Sequence, residues 1–415
     1  MKGYQFEDTQ GTFHLKKAEN ISYLYFPIAG EAGLKSSFTP NLGGDAKIDQ
    51  NTFLLEPVSA ENLVNNRNSR NFWCNVKGIG SWSLTGHSAE ELSKKFTEMQ
   101  DDSEVTAGFM WQKTTRESKK YQLRGEILSF IPVDKNVEIM LVTITNTGRM
   151  AQTVTPTAAI PLYGRSADNI RDHRHVTSLL HRIETTDTGV LVTPTLSFDE
   201  RGHQVNHMTY YCVGWSGNGE KPVDFYPTAE DFVGEGGNFE RPYAIVKNAE
   251  GVKAGTKIEG LEAVGGLHFS EITLEPEEEC SYLIFTGITE DIQEIRNLSK
   301  TYTTREKVLE ELEKTKAYWQ EKVNVAYHTG DSDFNQFMHW VSFQPILRRI
   351  YGCSFLPHHD YGKGGRGWRD LWQDCLALLI MNPDGVRQML LDNFAGVRID
   401  GSNATIIGSK QGEFV

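Results

Sequence analysis

The spacing of apolar residues changes once along this chain, near Phe285, and that change restricts what the chain can fold into. Before it, apolar residues recur at every second position in short runs such as "ISYLYFPI", "VEIMLVTITNTG", "GVLVTPTLSF", "MTYYCVGWSG" and "CSYLIFTGI". β-Branched and aromatic residues fill these runs and Gly, Asn, Asp and Pro break them, which is the pattern of strands. Many strands with no helix between them imply a sandwich or barrel, here either extended or carrying long loops. No internal repeat of solenoid or propeller period is present.

Beyond Phe285 the period lengthens. "TEDIQEIRNLSKTYTTREKVLEELEKTKAYWQEKVNV" sets Val308, Leu312, Trp319 and Val323 near helical spacing among charges. This predicts a linker of two helices broken near Thr301–Thr304, its Glu/Lys run forming a solvated face rather than an interaction tail. From Asp331 the chain reads as helical to its end. "DSDFNQFMHWVSFQPILRRIYG" opens on an Asp/Ser cap and is expected to bend or end near Pro345. "RDLWQDCLALLIM" stops at the turn signal "NPDG", and "VRQMLLDNFAG" makes a third helix ended by Gly396. The expected units are a β domain over 1–287, a helical linker over 288–326 and a helical domain over 327–415, the first members of a barrel or bundle.

With 415 residues, two domains or one domain and part of another are expected. The net charge of -13 argues against a nucleic-acid or anionic-membrane partner. No run of apolar residues is long enough to span a bilayer, and the start lacks an apolar signal core, so a cytoplasmic protein is expected. Cys74, Cys212, Cys280, Cys353 and Cys375 are scattered and without CxxC spacing, as reduced structural thiols would be.

Four sequence features bear on chemistry. In "GWRDLWQD", Arg369 stands one helical turn from Gln373 and Asp370 one turn from Asp374, beside Trp368 and Trp372. One patch of carboxylates, a guanidinium and aromatic faces suits a sugar. The same spacing also fits Asp370 complementing a helix dipole and Arg369 in an ordinary ion pair. "PHHDYGKGG" carries His358, His359 and Asp360 with no third cluster at metal-ligand spacing, so a polar cleft loop is the reading preferred over a metal site. "YGRSADNIRDHRHVTSLLHR" crowds Arg165, Asp168, Arg171, Asp172, His173, Arg174 and His175 after a strand, fitting a surface salt network or a loop that reaches a neighbouring site. "GEGG" lacks the lysine and helix of a phosphate loop, and "HLKK" and "RRI" are too short to be basic patches.

The block "GRGWRDLWQDCLALL" resembles the sugar-binding motif of the inverting disaccharide phosphorylases of glycoside hydrolase family ninety-four. That family includes cellobiose, chitobiose and 1,2-β-oligoglucan phosphorylases. "PIAGEAGLKSSFTPNLGGD", "RNSRNFWC", "TPTAAIPLYGRSADNIRDHRHVTSLLHR" and "SFQPILRRIYGCSFLPHHDYGKGGRGWRDLWQD" extend the likeness over essentially the whole chain.

The resemblance implies a β-supersandwich, a helical linker and the beginning of an (α/α)6 barrel holding the active site, in a homodimer. It implies that Arg369, Asp370 and Asp374, with Trp368 and Gln373, hold the glycosyl unit. It also implies that the loop bearing Arg165, Asp168, Arg171, His173 and His175, with His359 and Asp360, reaches toward such a site. The reaction implied is phosphorolysis of a β-linked gluco-oligosaccharide, with inorganic phosphate as co-substrate and no cofactor or metal. An acid would protonate the glycosidic oxygen while phosphate attacks the anomeric carbon from the opposite face, yielding glucose 1-phosphate with inversion.

The sequence departs from the family in one respect. It has no "DWND"-type motif, which bears the family's general acid roughly a hundred residues past the Arg-Asp block. The expectation is therefore of the N-terminal part of a longer phosphorylase, inactive by itself. A non-catalytic carbohydrate-binding sandwich and a related α-glucoside phosphorylase or glucoamylase-like hydrolase are the competing readings.

Overall fold

The computed structural model describes residues 3–21, 24–58, 70–170, 174–199, 202–352, 365–408 and 414. Eleven antiparallel strands form the largest sheet. Their order is Tyr4–Phe6, Phe13–Lys16, Asp102–Gly108, Trp111–Ser118, Leu123–Phe130, Val137–Asn146, Glu279–Thr289, Thr209–Ser216, Gly189–Val192, Arg182–Thr185 and Lys257–Glu259. A second sheet packs against it, ordered Asp224–Thr228, Ala263–His268, Gln152–Leu162, Asn71–Val76 and Gly80–Ser83, with Ile272–Leu274 also paired to Gln152–Leu162.

The central strands Val137–Asn146 and Thr209–Ser216 bury every residue. Alternate side chains serve two different cores. Met140, Val142, Ile144, Cys212 and Ile284 meet the second sheet, with Phe72, Ala158, Ile160 and Leu267. Ile139, Leu141, Val213, Trp215, Leu283 and Phe285 instead meet Ile295, Leu298, Val308 and Leu312 of the linker helices Ile292–Thr301 and Arg305–Lys322. Cover on both faces is why "VEIMLVTI" is apolar at consecutive positions, a departure from the period of two expected of it. The linker breaks between these helices at buried Tyr302, whose carbonyl accepts the Trp215 indole N–H at 3.0 Å.

A small sheet of Phe26–Ala29, Lys35–Phe38, Gly44–Asp49 and Thr52–Leu55 lies beside the sandwich and is mostly buried, although its two middle strands are polar in sequence. The fully buried pair Arg70–Glu138 lies against it. Arg70 Nε donates to Glu138 Oε1 at 2.5 Å, Nη2 donates to Oε2 at 3.0 Å and to the Asp45 carbonyl at 3.1 Å, and Ser36 Oγ donates to Oε2 at 2.5 Å. A buried charge pair persists when its donors and acceptors are satisfied in this way.

The helix Ser332–Tyr351 is capped by Asp331, whose carboxylate accepts the Phe334 N–H at 3.1 Å. It continues through Pro345 to Tyr351, so the helix does not end there as one alternative expected. Pro345 costs the helix one hydrogen bond, but Val341, whose carbonyl loses that partner, is on the exposed side, where water can serve it. Gly352 ends the helix in a left-handed turn at φ 70°.

Two further helices, Trp368–Met381 and Val386–Ala395, follow. The chain is not helical throughout this part: Gly365–Gly367 pairs antiparallel with Ile406–Gly408. Triplets as short as "GRG" and "IIG" carry no periodicity from which a strand could be read. A common core of Trp319, Val323, Phe343, Ile346, Leu371, Cys375 and Leu378 joins the helices to Ala29, Phe109 and Met110 of the β part. The Phe109 and Phe343 rings stack at 4.3 Å. Among the described residues no helix is long and apolar enough to cross a membrane.

Candidate functional site

The helix Trp368–Met381 begins against the small strand pair, with the Trp368 N–H donating to the Thr405 carbonyl at 2.9 Å. Its amphipathic turn separates the residues that the sequence grouped together. Arg369 and Gln373 are exposed, Arg369 to 84% of its side chain. Asp374 is 1% exposed and faces the helical core. There Arg348 grips it, Nε donating to Oδ1 at 2.7 Å and to Oδ2 at 2.9 Å, with Nη2 also bonded to Oδ1. The single polar patch expected of these four residues is thus divided, because one residue along a helix rotates a side chain by about 100°.

Asp370 lies between these two sides, about one-third exposed, in the first turn where the helix dipole favours a carboxylate. It folds back over the helix start, so that a Cβ at Gly367 would come 3.0 Å from its Oδ2. Arg369 Nη2 is 3.4 Å from Asp370 Oδ1. Trp368 and Trp372 meet edge to face at 5.6 Å, and Trp372 meets Phe394 at 4.7 Å. Both indole N–H groups are buried and have no acceptor among the described residues. The tip therefore presents one carboxylate, one guanidinium and two partly buried aromatic rings, with the indole N–H groups turned away from solvent.

The Arg165 segment folds into the sandwich. Arg165 is buried, its Nη2 donating to Glu262 Oε2 at 2.6 Å and its guanidinium lying 4.9 Å from the Tyr163 ring. Asp168 is half-buried in a short turn at Ala167–Ile170, and His175 lies in the short helix Arg174–Thr177. Among the described residues, no hydrogen bond or ion pair joins Arg165 or Asp168 to the helix tip. Arg171, Asp172 and His173, and His358, His359 and Asp360, lie outside the described residues. Among the described residues no group of three His, Cys, Asp or Glu is placed to hold a metal ion.

Sequence reasoning passed over Arg348 and Arg349, the "RRI" judged too short for a basic patch. Arg349 Nη1 and Nη2 donate to the two carboxylate oxygens of Glu31 at 3.1 and 2.7 Å, and Tyr318 Oη donates to Glu31 Oε1 at 3.1 Å. Burial pushes the Glu31 carboxyl pKa up, but the Arg349 bonds and charge and the Tyr318 hydroxyl outweigh it and leave that pKa below its ordinary value. An adjacent arginine pair in the last turn before Gly352 was the available signal.

The family model of the glycosyl hydrolase 94 supersandwich domain matches residues 55–305. A curated relative, the cyclic beta-(1,2)-glucan synthase NdvB of Rhizobium meliloti (strain 1021), is 26% identical over 194 residues, which are 46% of this chain and 6% of that protein. Among solved structures, a bacterial glucoamylase complexed with acarbose is similar over 98% of this chain and 52% of its own, at 10% identity and a TM-score of 0.49. A family GH92 alpha-mannosidase from Bacteroides thetaiotaomicron is similar over 78% of this chain and 38% of its own, at 11% identity and a TM-score of 0.39. The chain thus spans a small fraction of the curated relative and about half of the glucoamylase. It belongs to the glycosyl hydrolase 94 supersandwich family, a family of carbohydrate-active enzymes.

Proposed function

We propose that this member of the glycosyl hydrolase 94 supersandwich family binds the terminal glucosyl unit of a β-linked gluco-oligosaccharide at the tip of the Trp368–Met381 helix. The exposed Arg369 guanidinium beside the partly exposed Asp370 carboxylate, next to the partly buried Trp368 and Trp372 rings, carries this reading. The apolar face of a pyranose lies on the aromatic rings while its hydroxyls meet the charged groups. Asp370 accepts hydrogen bonds from vicinal hydroxyls, and the exposed Arg369 donates to their oxygens.

The reaction is inverting phosphorolysis. Phosphate attacks the anomeric carbon as an acid protonates the leaving oxygen, the bond to the departing sugar breaks, and glucose 1-phosphate forms. Phosphate is already an anion, so no general base is needed to activate it. This chain contributes sugar binding and orientation, and no residue described here is assigned as the acid. The likeness to a cyclic beta-(1,2)-glucan synthase favours a β-1,2 linkage. Titration calorimetry of the protein with sophorose, a β-1,2-linked disaccharide, and with maltose, an α-linked one, tests the reading. Saturable heat with sophorose and none with maltose is expected; no heat with sophorose, or equal affinity for both, overturns it.

A further inference from the structure

The last turn of the Ser332–Tyr351 helix is held from two sides. On one side lies the hairpin Phe26–Phe38 of the small sheet. Arg349 binds both oxygens of Glu31 there, Tyr351 Oη shares its proton between the Ile28 and Ser36 carbonyls at 2.9 and 2.5 Å, and Lys35 Nζ donates to the Ile350 carbonyl at 3.0 Å. Glu31 is in turn anchored to the sandwich, since its own N–H and that of Ala32 donate to the Val133 carbonyl at 2.7 and 3.2 Å. On the other side, Arg348 holds the buried Asp374 through both carboxylate oxygens.

Asp374 stands one helical turn beyond Asp370 on the same helix. A two-pronged guanidinium–carboxylate bond fixes direction as well as distance, and so sets the rotation of that helix about its axis. We infer that Arg348, Arg349 and Glu31 are positioning residues: through Asp374 they lock the Trp368–Asp370 tip to the sandwich. This extends the sugar-site reading and rests on it for its functional consequence. In this arrangement Asp374 orients the site from below and does not touch sugar, and a residue of the β part helps set the geometry of a site on the helices.

The test uses the whole 415-residue protein with Arg348→Gln, Arg348→Lys and Glu31→Gln. Hydrogen exchange is read over residues 371–378 and, as a reference, over the central strand Val137–Asn146. Arg348→Gln is expected to speed exchange over 371–378 by about tenfold, with Arg348→Lys recovering part of the protection because it keeps the charge but not the fork. Glu31→Gln, which contacts neither that helix nor the sugar, is expected to speed exchange there about threefold and to leave the central strand unchanged. The Kd for sophorose, measured well below the melting temperature, is expected to rise about tenfold or more in Arg348→Gln, because misplaced groups bind and act less well even when the fold is intact.

Unchanged exchange over 371–378 in Glu31→Gln overturns the positioning device, as does an equal rise in the central strand, which would mark general destabilisation. Unaltered sophorose affinity in an Arg348→Gln protein with loosened 371–378 also overturns it. Exchange needs no ligand, so failure of the wild-type protein to bind sophorose strikes the sugar reading separately.

Discussion

The sandwich and the helices solve burial differently. The central strands of the large sheet are covered on both faces, by the second sheet on one side and the linker helices on the other. The helices that carry the candidate site leave a broad apolar surface in solvent. Ile380 is 75% exposed, Leu376 67%, Phe394 59% and Phe337 54%. The sandwich makes its own core, whereas the helices draw part of theirs from Ala29, Phe109 and Met110 of the β part and borrow orientation through Glu31 and the Phe26–Phe38 hairpin. The helices thus depend on the β part for some of their packing.

That dependence can be broken at the Arg70–Glu138 pair, where the largest effect is expected. Glu138→Gln leaves the Arg70 charge buried without its counter-charge, which costs about 3–5 kcal/mol. Urea unfolding followed by hydrogen exchange is expected to show the helices losing protection together with the strands. Retained protection of 368–381 in a protein whose sandwich has opened would contradict the dependence.

A smaller effect sharpens the sandwich side. Burial, reinforced by the nearby Arg165 charge, lowers the His181 pKa to about 3. Its Nδ1 lies 3.2 Å from the Leu261 carbonyl, and the backbone of Tyr163 is a second hydrogen-bond partner of the ring. The folded pKa is below the unfolded one, so the unfolded chain takes up the proton first. The contribution is complete above about pH 6.5 and is lost at up to about 1.4 kcal/mol per pH unit as the pH falls toward 3. Stability measured from pH 5.5 to 4 is expected to fall less steeply, by about that slope, in His181→Gln than in wild type. Parallel slopes would show that His181 gains a proton in the folded sandwich.

The sandwich was largely legible because short β-branched and aromatic runs broken by Gly, Asn, Asp and Pro are a local signal, as in "MTYYCVGWSG". The sheet spanning Phe26–Leu55 was less so: "KSSF" and "GDAKID" are buried polar strands, sheltered around a charge pair whose members are far apart in sequence. The linker break was readable from Thr301–Thr304, but the helix through Pro345 was not, since packing outweighs one lost hydrogen bond. At the site, residue types and helix start could be read, but the role of Asp374 could not. Spacing within one helix says which residues share a side, not that Arg348, on another helix, turns one of them inward.

The most direct test of the helix tip as a sugar site is one variant measured two ways. Asp370→Asn preserves shape and can still accept a bond near the helix start, but removes the charge that strengthens bonds to hydroxyls. Charge-assisted bonds contribute about 1.5–3 kcal/mol, so the Kd for sophorose is expected to rise about tenfold to a hundredfold, with the melting temperature almost unchanged. A variant that loses up to about 1 kcal/mol of stability yet binds sophorose as tightly as wild type would contradict the account, and would make Asp370 a helix cap instead.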